Sequence, residues 1–308
     1  MEPNSKRVLV TGGAGFIGSN LVDVLLDKEY EVSIIDDFST GKRDNINPKT
    51  TLYEISLHKA TVDELADVLK NIDVVYHTAA LARVQPSIKD PVHYNEVNVT
   101  SIVKLLTACV KANVRRVVYS ASSSAYGNAT QFPTPETHST DSLSPYGLQK
   151  YIGELYCRMF SKVYNIDTVC LRYFNVYGER MNFEGAYKTV IGVFAEQKKN
   201  NKPLTITNDG KQKRDFTYVK DVVAANILAG ESKETFIGEV FNIGNGDNIS
   251  VNEVADLIGG EKVYNEKRLE PFETLADNTK AKTILDWETT GNLKEFINNK
   301  LWNLKELK

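Results

Sequence analysis

Two side chains that could share a proton stand four residues apart in the segment SPYGLQKYIGE, residues 144–154. Tyr146 and Lys150 would lie on one face of a helix, because residues i and i+4 are neighbours there. An ammonium beside a phenol favours the phenolate, so Lys150 should lower the pKa of Tyr146 from its ordinary value of about 10. We therefore expect Tyr146 to act as a general base.

A cluster of serines in the segment SASSSAYG, residues 120–127, directly follows the apolar run RRVVYS. Such a polar loop at the carboxyl end of a buried strand lies where open α/β sheets bind ligands. A serine hydroxyl there could hold the same substrate oxygen that Tyr146 deprotonates. The sequence therefore predicts that the serine loop and the Tyr146 helix form one site.

A glycine-rich segment, VTGGAGFIGSN at residues 10–20, lies between the first predicted strand and the first predicted helix. Gly12, Gly15 and Gly18 would allow a tight turn and let backbone amides approach a pyrophosphate at the positive end of the helix. Asp36 ends the second predicted strand, where a carboxylate accepts hydrogen bonds from a ribose diol and repels a 2′-phosphate. This pattern predicts NAD rather than NADP as the cofactor.

The elements that must position these residues alternate regularly in the first half of the chain. Short β-branched runs are separated by stretches of helical period, which predicts a parallel sheet covered on both faces, hence a doubly wound α/β fold. One helix is predicted over 95–112. Past residue 175 the pattern is less regular, with helices predicted over 187–199 and 221–230. Ser250 and Glu253 have capping-box spacing at the start of another helix. The tail LWNLKELK is predicted to form an amphipathic helix.

These patterns divide the chain of 308 residues into two parts. Residues 1–175 are predicted to form the dinucleotide-binding domain, with segments at about 215–245 returning to it. Residues 176–308 are predicted to form mainly a smaller α/β substrate domain.

Composition narrows the class of protein. The net charge of −3 gives no basis for non-specific binding to nucleic acid or an anionic membrane. No apolar run approaches the roughly 18 residues that a membrane span needs. The three cysteines fit no ligand spacing and are expected to be reduced, which indicates a cytoplasmic protein. The four histidines share no ligand spacing either, so the sequence predicts no metal site.

The motifs together resemble the extended short-chain dehydrogenase/reductase family over nearly the whole chain. The resemblance rests on TGGAGFIGS, Asp36, HTAA, SASSSAYG, SPYGLQK, LRYFNVYG and RDFTYVKDV, in the order the family has them. It implies a Rossmann-like dinucleotide domain. It also implies Tyr146 as the base, Lys150 as its electrostatic partner and ribose anchor, and Ser122 as the third catalytic group, with Ser123 and Ser124 as the next candidates.

The resemblance also implies two sets of contacts. NAD-binding positions would be Gly12, Gly15, Phe16, Ile17, Gly18, Asp36, Asp37, Ser39, Thr40, Gly41, Glu54, Ile55, Ala79, Ala80, Asn98, Tyr146, Lys150 and Tyr173. Substrate-binding positions would be Ser122, Ser123, Ser124, Tyr146, Asn175, Ala186, Tyr187, Arg214, Lys267 or Arg268, and Thr274. A surface ion pair with Asp215 is the alternative for Arg214.

Within the family, the serine loop favours the UDP-sugar 4-epimerases. Dehydratases and sugar-acid decarboxylases that resemble this frame carry a glutamate just after the catalytic hydroxyl, whereas Ser123 and Ser124 stand there. The resemblance thus implies C4 epimerisation through a 4-keto intermediate. The alternatives are another nucleotide-sugar oxidoreductase, such as a 4-keto-sugar reductase, and a non-catalytic dinucleotide sensor.

The expected substrates are UDP-GlcNAc and UDP-GalNAc, with UDP-Glc and UDP-Gal also accepted. Thr274 falls where a bulky aromatic residue would exclude a 2-acetamido group. UDP-glucuronate is a further alternative, although its epimerases tend to have Thr at Asn175 and Arg at Asn182. The resemblance also implies a homodimer formed through the Tyr146 helix, although its apolar residues Ile152, Leu155 and Met159 could equally belong to the core of one chain.

Overall fold

The computed structural model of the protein describes residues 6–183, 189–266 and 270–307. Its strands are β1 (Arg7–Thr11), β2 (Glu31–Ile35), β3 (Thr51–Tyr53), β4 (Val74–His77), β5 (Arg116–Ser122), β6 (Asp167–Tyr173), β7 (Val176–Tyr177), β8 (Leu204–Thr207), β9 (Lys213–Asp215), β10 (Thr217–Tyr218), β11 (Ile237–Ile243), β12 (Asn248–Ser250) and β13 (Lys262–Asn265). Its helices are α1 (Phe16–Asp27), α2 (Val62–Val68), α3 (Val84–Lys89), α4 (Pro91–Asn95), α5 (Ser101–Lys111), α6 (Pro145–Tyr164), α7 (Val190–Lys199), α8 (Val219–Glu231), α9 (Val251–Ile258), α10 (Thr279–Leu285) and α11 (Leu293–Asn299).

Seven parallel strands form the central sheet in the order β11-β6-β5-β4-β1-β2-β3. The order reverses between β1 and β4, which is the switch point where doubly wound sheets bind ligands. The glycine loop follows β1 and the serine loop follows β5, so both lie at the carboxyl edge of the sheet. The predicted doubly wound α/β fold is confirmed.

Apolar side chains cover both faces of this sheet. Val8 and Val10 of β1 pack into a cluster that includes residues of α1 and α8, whereas Leu9 packs into one with residues of α2, α5 and α6. This burial on both faces explains the continuous apolar runs of the strands. A third cluster is built on α7, α9 and α11. Among the described residues, no helix combines the length and the apolar character that crossing a bilayer needs.

Two predicted helices differ from the structure. The helix expected over 95–112 is divided into α4, a π-helical turn at Glu96–Thr100, and α5. The wider turn contains Asn98, whose side chain bonds the backbone of a neighbouring loop. The tail forms two short 3₁₀ turns, Leu301–Asn303 and Lys305–Leu307. Its leucines recur every third residue, which suits the three-residue repeat of that helix.

The predicted capping box at Ser250 is confirmed. The Ser250 hydroxyl accepts from the backbone N–H of Glu253, and the Glu253 carboxylate accepts from the backbone N–H of Ser250. Both bonds satisfy amide groups that the first turn of α9 leaves without helical partners.

Candidate active site

The glycine loop between β1 and α1 is held in close contact with neighbouring backbone. Gly12 has a φ of +71°, and a Cβ there would lie 2.8 Å from Cα of Ala79. A Cβ on Gly18 would lie 2.2 Å from the carbonyl oxygen of Gly12. Only glycine fits these positions without movement, so the N-terminal end of α1 stays open to a ligand.

Asp36 is fixed at the end of β2 by two backbone amides. Its Oδ2 accepts from the N–H of Ala14 at 2.9 Å, and its Oδ1 accepts from the N–H of Phe38 at 2.8 Å. Burial raises the pKa of this carboxyl above its usual value, and the two hydrogen bonds oppose that rise. Gly41 lies against it, since a Cβ there would be 2.9 Å from Oδ1.

A cavity opens between the glycine loop, the end of β2 and the segment after β4. Its lining contains most of the predicted cofactor contacts, namely Gly12, Gly15, Phe16, Ile17, Gly18, Asp36, Asp37, Ser39, Thr40, Ile55, Ala79 and Ala80. A cavity with the glycine loop on one side and the buried Asp36 carboxylate on the other fits a dinucleotide.

The predicted catalytic hydroxyls lie on β5 and α6 and are not among the residues that line this cavity. Ser122 ends β5, and its hydroxyl lowers in part the pKa of the Tyr146 phenol on α6. Ser144 caps α6 by accepting from the N–H of Gly147 at 3.2 Å. A Cβ on Gly147 would lie 2.5 Å from the carbonyl oxygen of Ser124. This close approach holds the first turn of α6, and with it Tyr146, against the serine loop.

Lys150 lies one turn further along α6, but it does not lower the pKa of Tyr146 as expected. Its ammonium donates to the carbonyl oxygen of Ser120 at 2.8 Å. Burial instead raises the pKa of Tyr146, while the Ser122 hydroxyl and the charge of Arg83 lower it in part. Burial also lowers the pKa of Lys150 to about 8. Desolvation therefore dominates both groups, which the i, i+4 spacing could not reveal.

A buried ion pair supports the inner side of α6. The Glu154 carboxylate accepts two hydrogen bonds from Arg172 of β6, at 2.8 and 2.6 Å. The charge of Glu154 opposes the fall in the pKa of Lys150. The Arg172 guanidinium also lies 4.5 Å from the ring centre of Tyr126. This pair was not identified from the sequence, because its partners lie on different elements.

Three predicted cofactor contacts have other partners in the structure. The Asn98 amide bonds both the N–H and the carbonyl of Leu81, so it orients the segment after β4 and does not line the cavity. The Tyr173 hydroxyl is buried against Ser120 and Asn226. Glu54 is exposed and paired with Arg43 at 2.8 Å. The polar atoms of these residues are engaged by the protein itself.

The predicted substrate contacts form a second group around β9. The Asn175 amide donates to the Thr274 hydroxyl at 3.3 Å, and that hydroxyl also accepts from the N–H of Asp215. Arg214 pairs with Glu270 at 2.8 Å. Asp215 is not its partner, because that carboxylate accepts from three backbone N–H groups. Ser123 and Ser124 form the 3₁₀ turn after Ser122. Ala186, Tyr187, Lys267 and Arg268 lie outside the described residues.

Arg83 and His58 are among the lining residues that the sequence did not single out. Arg83 immediately precedes α3, and its positive charge lowers the pKa of the Tyr146 phenol in part. The next turn fixes this segment to α6, since the Ser87 hydroxyl accepts from the backbone N–H of Tyr146 at 3.1 Å. His58 lies on the loop after β3. Neither residue belongs to a motif, so only the folded chain reveals them.

Fold and site together define a dinucleotide-dependent enzyme of the doubly wound α/β class. A sequence model described as the NAD dependent epimerase/dehydratase family matches residues 8–244. The chain belongs to this family and is an NAD-using enzyme of the extended short-chain dehydrogenase/reductase type.

Known proteins similar to this chain support that assignment. A putative UDP-glucose 4-epimerase from Methanocaldococcus jannaschii is 39% identical over 298 residues, covering 94% of this chain and 95% of that protein. The structure of a UDP-N-acetylglucosamine 4-epimerase from Methanobrevibacter ruminantium, in complex with UDP-N-acetylmuramic acid, has a TM-score of 0.89 at 35% identity and covers 96% of each chain. A UDP-glucuronic acid 4-epimerase from Bacillus cereus, with UDP-glucuronic acid and NAD, has a TM-score of 0.88 at 34% identity and covers 98% of this chain and 100% of the other.

Proposed function

We propose that this enzyme inverts C4 of a UDP-hexose. The observation that carries the proposal is that Tyr146 is held between the serine loop, by the close approach of Gly147 to the Ser124 carbonyl, and α3, which follows Arg83 of the cavity lining. A hydroxyl donor and a phenolic base that share one substrate oxygen are what oxidation of a secondary alcohol requires. The similar proteins, named as UDP-sugar 4-epimerases, support the same reaction.

In this reaction Tyr146 takes the proton of the C4 hydroxyl while Ser122 holds the oxygen. NAD would be held by the glycine loop and Asp36, and it would supply a ring that can take up a hydride and give it back. Tyr146 returns the proton to the new C4 hydroxyl. Because the hydride also returns to C4, the reaction has no net oxidation. Lys150, whose ammonium is held by the Ser120 carbonyl, is assigned to bind the ribose of the cofactor.

The cofactor-binding role is assigned to the glycine loop, Asp36 and the other cavity residues. The fit is supported by the close approach of Gly12 to Ala79 and by the buried carboxylate of Asp36, which excludes a second negative charge. Residues 1–175 would form the dinucleotide domain together with β11, the later strand that joins the central sheet beside β6. Residues 176–308 would form mainly the substrate domain.

Binding of the UDP diphosphate is assigned to Arg214. Its guanidinium is nearly buried and is paired with the more exposed Glu270, with side-chain exposures of 10% and 37%. The oxygens of a diphosphate can accept two hydrogen bonds at once from a guanidinium. A diphosphate can therefore replace the single carboxylate of Glu270 as the partner of Arg214. Glu270 would then turn outward to solvent as the nucleotide enters.

The proposed sugars are UDP-GlcNAc and UDP-GalNAc, with UDP-Glc and UDP-Gal also accepted. The support is the small Thr274 side chain, which bonds Asn175 and leaves no aromatic ring at this position. The M. ruminantium protein is named for the acetylated sugar. UDP-glucuronate is the second candidate because the B. cereus enzyme binds it. Against it, the cavity is lined by the neutral Asn182 where an arginine would suit a carboxylate.

The test is to incubate purified enzyme with each UDP-sugar without added NAD and to separate the epimers by chromatography. The proposal predicts interconversion of the acetylated pair and release of NAD when the enzyme is denatured. A Thr274→Tyr variant should lose the acetylated pair at least tenfold more than UDP-Glc. Turnover only with added cofactor would favour a 4-keto-sugar reductase, and no turnover would favour the non-catalytic sensor. Turnover of UDP-glucuronate alone would replace the proposed substrate.

We also propose a homodimer formed through α6. Its outer face exposes Leu148, Leu155, Met159 and Val163, which recur at intervals of seven and four residues. Such a stripe is typical of a helix that packs on another helix. The three cysteines are free and buried, which agrees with the cytoplasmic location expected from the sequence.

A further inference from the structure

Three side chains with metal-binding atoms meet beside the cofactor cavity, although one of them is distant from the other two in sequence. His58 lies on the loop after β3, His93 lies on α4, and Glu96 lies in the π-helical turn that follows. One ligand atom of each lies within 4.8 Å of those of the other two. Within the part of the chain that the structure describes, this is the only group of at least three His, Cys, Asp or Glu residues so placed.

The tautomer of His58 is set by its neighbours. The Ser56 hydroxyl donates its proton to the Asp37 carboxylate at 2.8 Å. The same hydroxyl lies 3.1 Å from Nδ1 of His58, where it can only accept. Nδ1 is therefore protonated, and Nε2 keeps the lone pair that a metal ion binds. Histidine ligands in metal sites are oriented by this kind of hydrogen bond, which here leads through a hydroxyl to a carboxylate.

The backbone that carries His58 is also held in place. The ammonium of Lys104 on α5 donates to the carbonyl oxygens of His58 and Ala60, at 2.6 and 2.9 Å. His93 and Glu96 are three residues apart, so they lie on the same side of their helical segment. The His93 Nδ1 and the Glu96 carboxylate are 3.9 Å apart, and both side chains are about half exposed.

These distances suit a small ion after modest rotation of exposed side chains. Tetrahedral zinc with bonds of about 2.0–2.1 Å separates its ligand atoms by about 3.3 Å. Two imidazoles and one carboxylate form a donor set that zinc accepts, with water in the fourth position. The closing movement of up to about 1.5 Å falls on the side chains of His93 and Glu96, which are about half exposed.

We infer that His58, His93 and Glu96 bind one divalent transition-metal ion of the zinc class. The ion would join the loop after β3 to α4 across the mouth of the cofactor cavity, which His58 lines. The Ser56 hydroxyl that contacts His58 donates to the carboxylate of Asp37, and Asp37 lines the same cavity. The metal site and the cofactor cavity thus share one wall.

The inference is tested by titrating zinc chloride into the purified enzyme with its bound cofactor, after removal of chelator, with isothermal titration calorimetry. We expect one zinc ion per chain. His93→Ala and Glu96→Gln should each weaken binding at least tenfold, and Ser56→Ala should weaken it about tenfold through loss of the outer hydrogen bond. His138→Asn changes a histidine at a distant loop and should bind zinc as the unmodified enzyme does.

Thermal melting of each variant is measured first, so that zinc affinities are compared only between folded proteins. The exposed positions of His93 and Glu96 make loss of the fold an unexpected result. Absence of saturable binding to the unmodified enzyme would overturn the inference. So would equal zinc affinity in folded His93→Ala and in His138→Asn, because another group would then hold the ion. Neither outcome bears on epimerisation, since the site does not rest on the proposed function.

Discussion

Replacing Glu154 with glutamine tests whether the buried ion pair sets the charge of Lys150. Glu154 raises the pKa of Lys150 against burial, and that pKa is about 8. A nearby charge of this kind shifts a pKa by about 1–3, and the lower end applies because Arg172 shares the charge of Glu154. The pKa of Lys150 in Glu154→Gln should therefore fall to about 7.

The kinetic consequence can be worked out from that shift. Near pH 7.5, about three-quarters of Lys150 is protonated when its pKa is about 8, and about one-quarter when it is about 7. If the ammonium is the active form, kcat near pH 7.5 should fall about threefold. The assay is the pH profile of kcat between about pH 6 and 9, where the alkaline limb should move down by about one pH unit.

The same change should lower stability, because Arg172 would be left buried with a weaker partner. Side-chain exposure is 4% for both residues of the pair. Removing one partner of a buried pair costs roughly 3–5 kcal/mol, and the amide oxygen of glutamine keeps the loss near the lower end. The matched control is Glu31→Gln in the exposed pair with Arg7, which should cost less than about 1 kcal/mol in urea unfolding.

An alkaline limb of the kcat profile that stays at its original pH in folded Glu154→Gln would refute the claim that Glu154 raises the pKa of Lys150.

Further predictions concern the cofactor loop and the outer face of α6. Gly18→Ala places a Cβ 2.2 Å from the Gly12 carbonyl, so NAD should bind on the order of tenfold more weakly, equivalent to about 1.4 kcal/mol, measured by equilibrium dialysis. Unchanged NAD affinity in Gly18→Ala would show that the glycine loop accommodates the added methyl group without loss of binding energy. Leu155→Glu should convert the dimer to a monomer in light scattering, whereas Ile284→Glu, equally exposed on α10, should not. A monomer before mutation, or a dimer after it, would contradict the assigned interface.

The parts of the fold that local sequence determines were predictable. The alternation of apolar runs with helical stretches reflects burial on both faces of β1 and its neighbours, so the parallel sheet followed from it. Ser250 and Glu253 could be paired from their spacing alone, because a capping box involves one turn of chain. The glycine loop and Asp36 were placed by the same kind of short-range rule.

The parts that depend on tertiary contacts were not predictable. The sequence placed Lys150 beside Tyr146 but could not show that a β5 carbonyl binds its ammonium. Arg83 reaches the site because Ser87 fixes α3 to α6. His58 and His93 are 35 positions apart, and their proximity depends on how the loop after β3 packs against α4. No spacing rule covers such contacts.

The most direct test of the central claim is Tyr146→Phe, which removes only the phenolic oxygen. Turnover of the UDP-hexose should fall about 10²–10⁴-fold, because general acid–base catalysis contributes about that much. NAD released on denaturation should remain equal to that of the unmodified enzyme. Undiminished turnover in this variant would contradict the assignment of Tyr146 as the base.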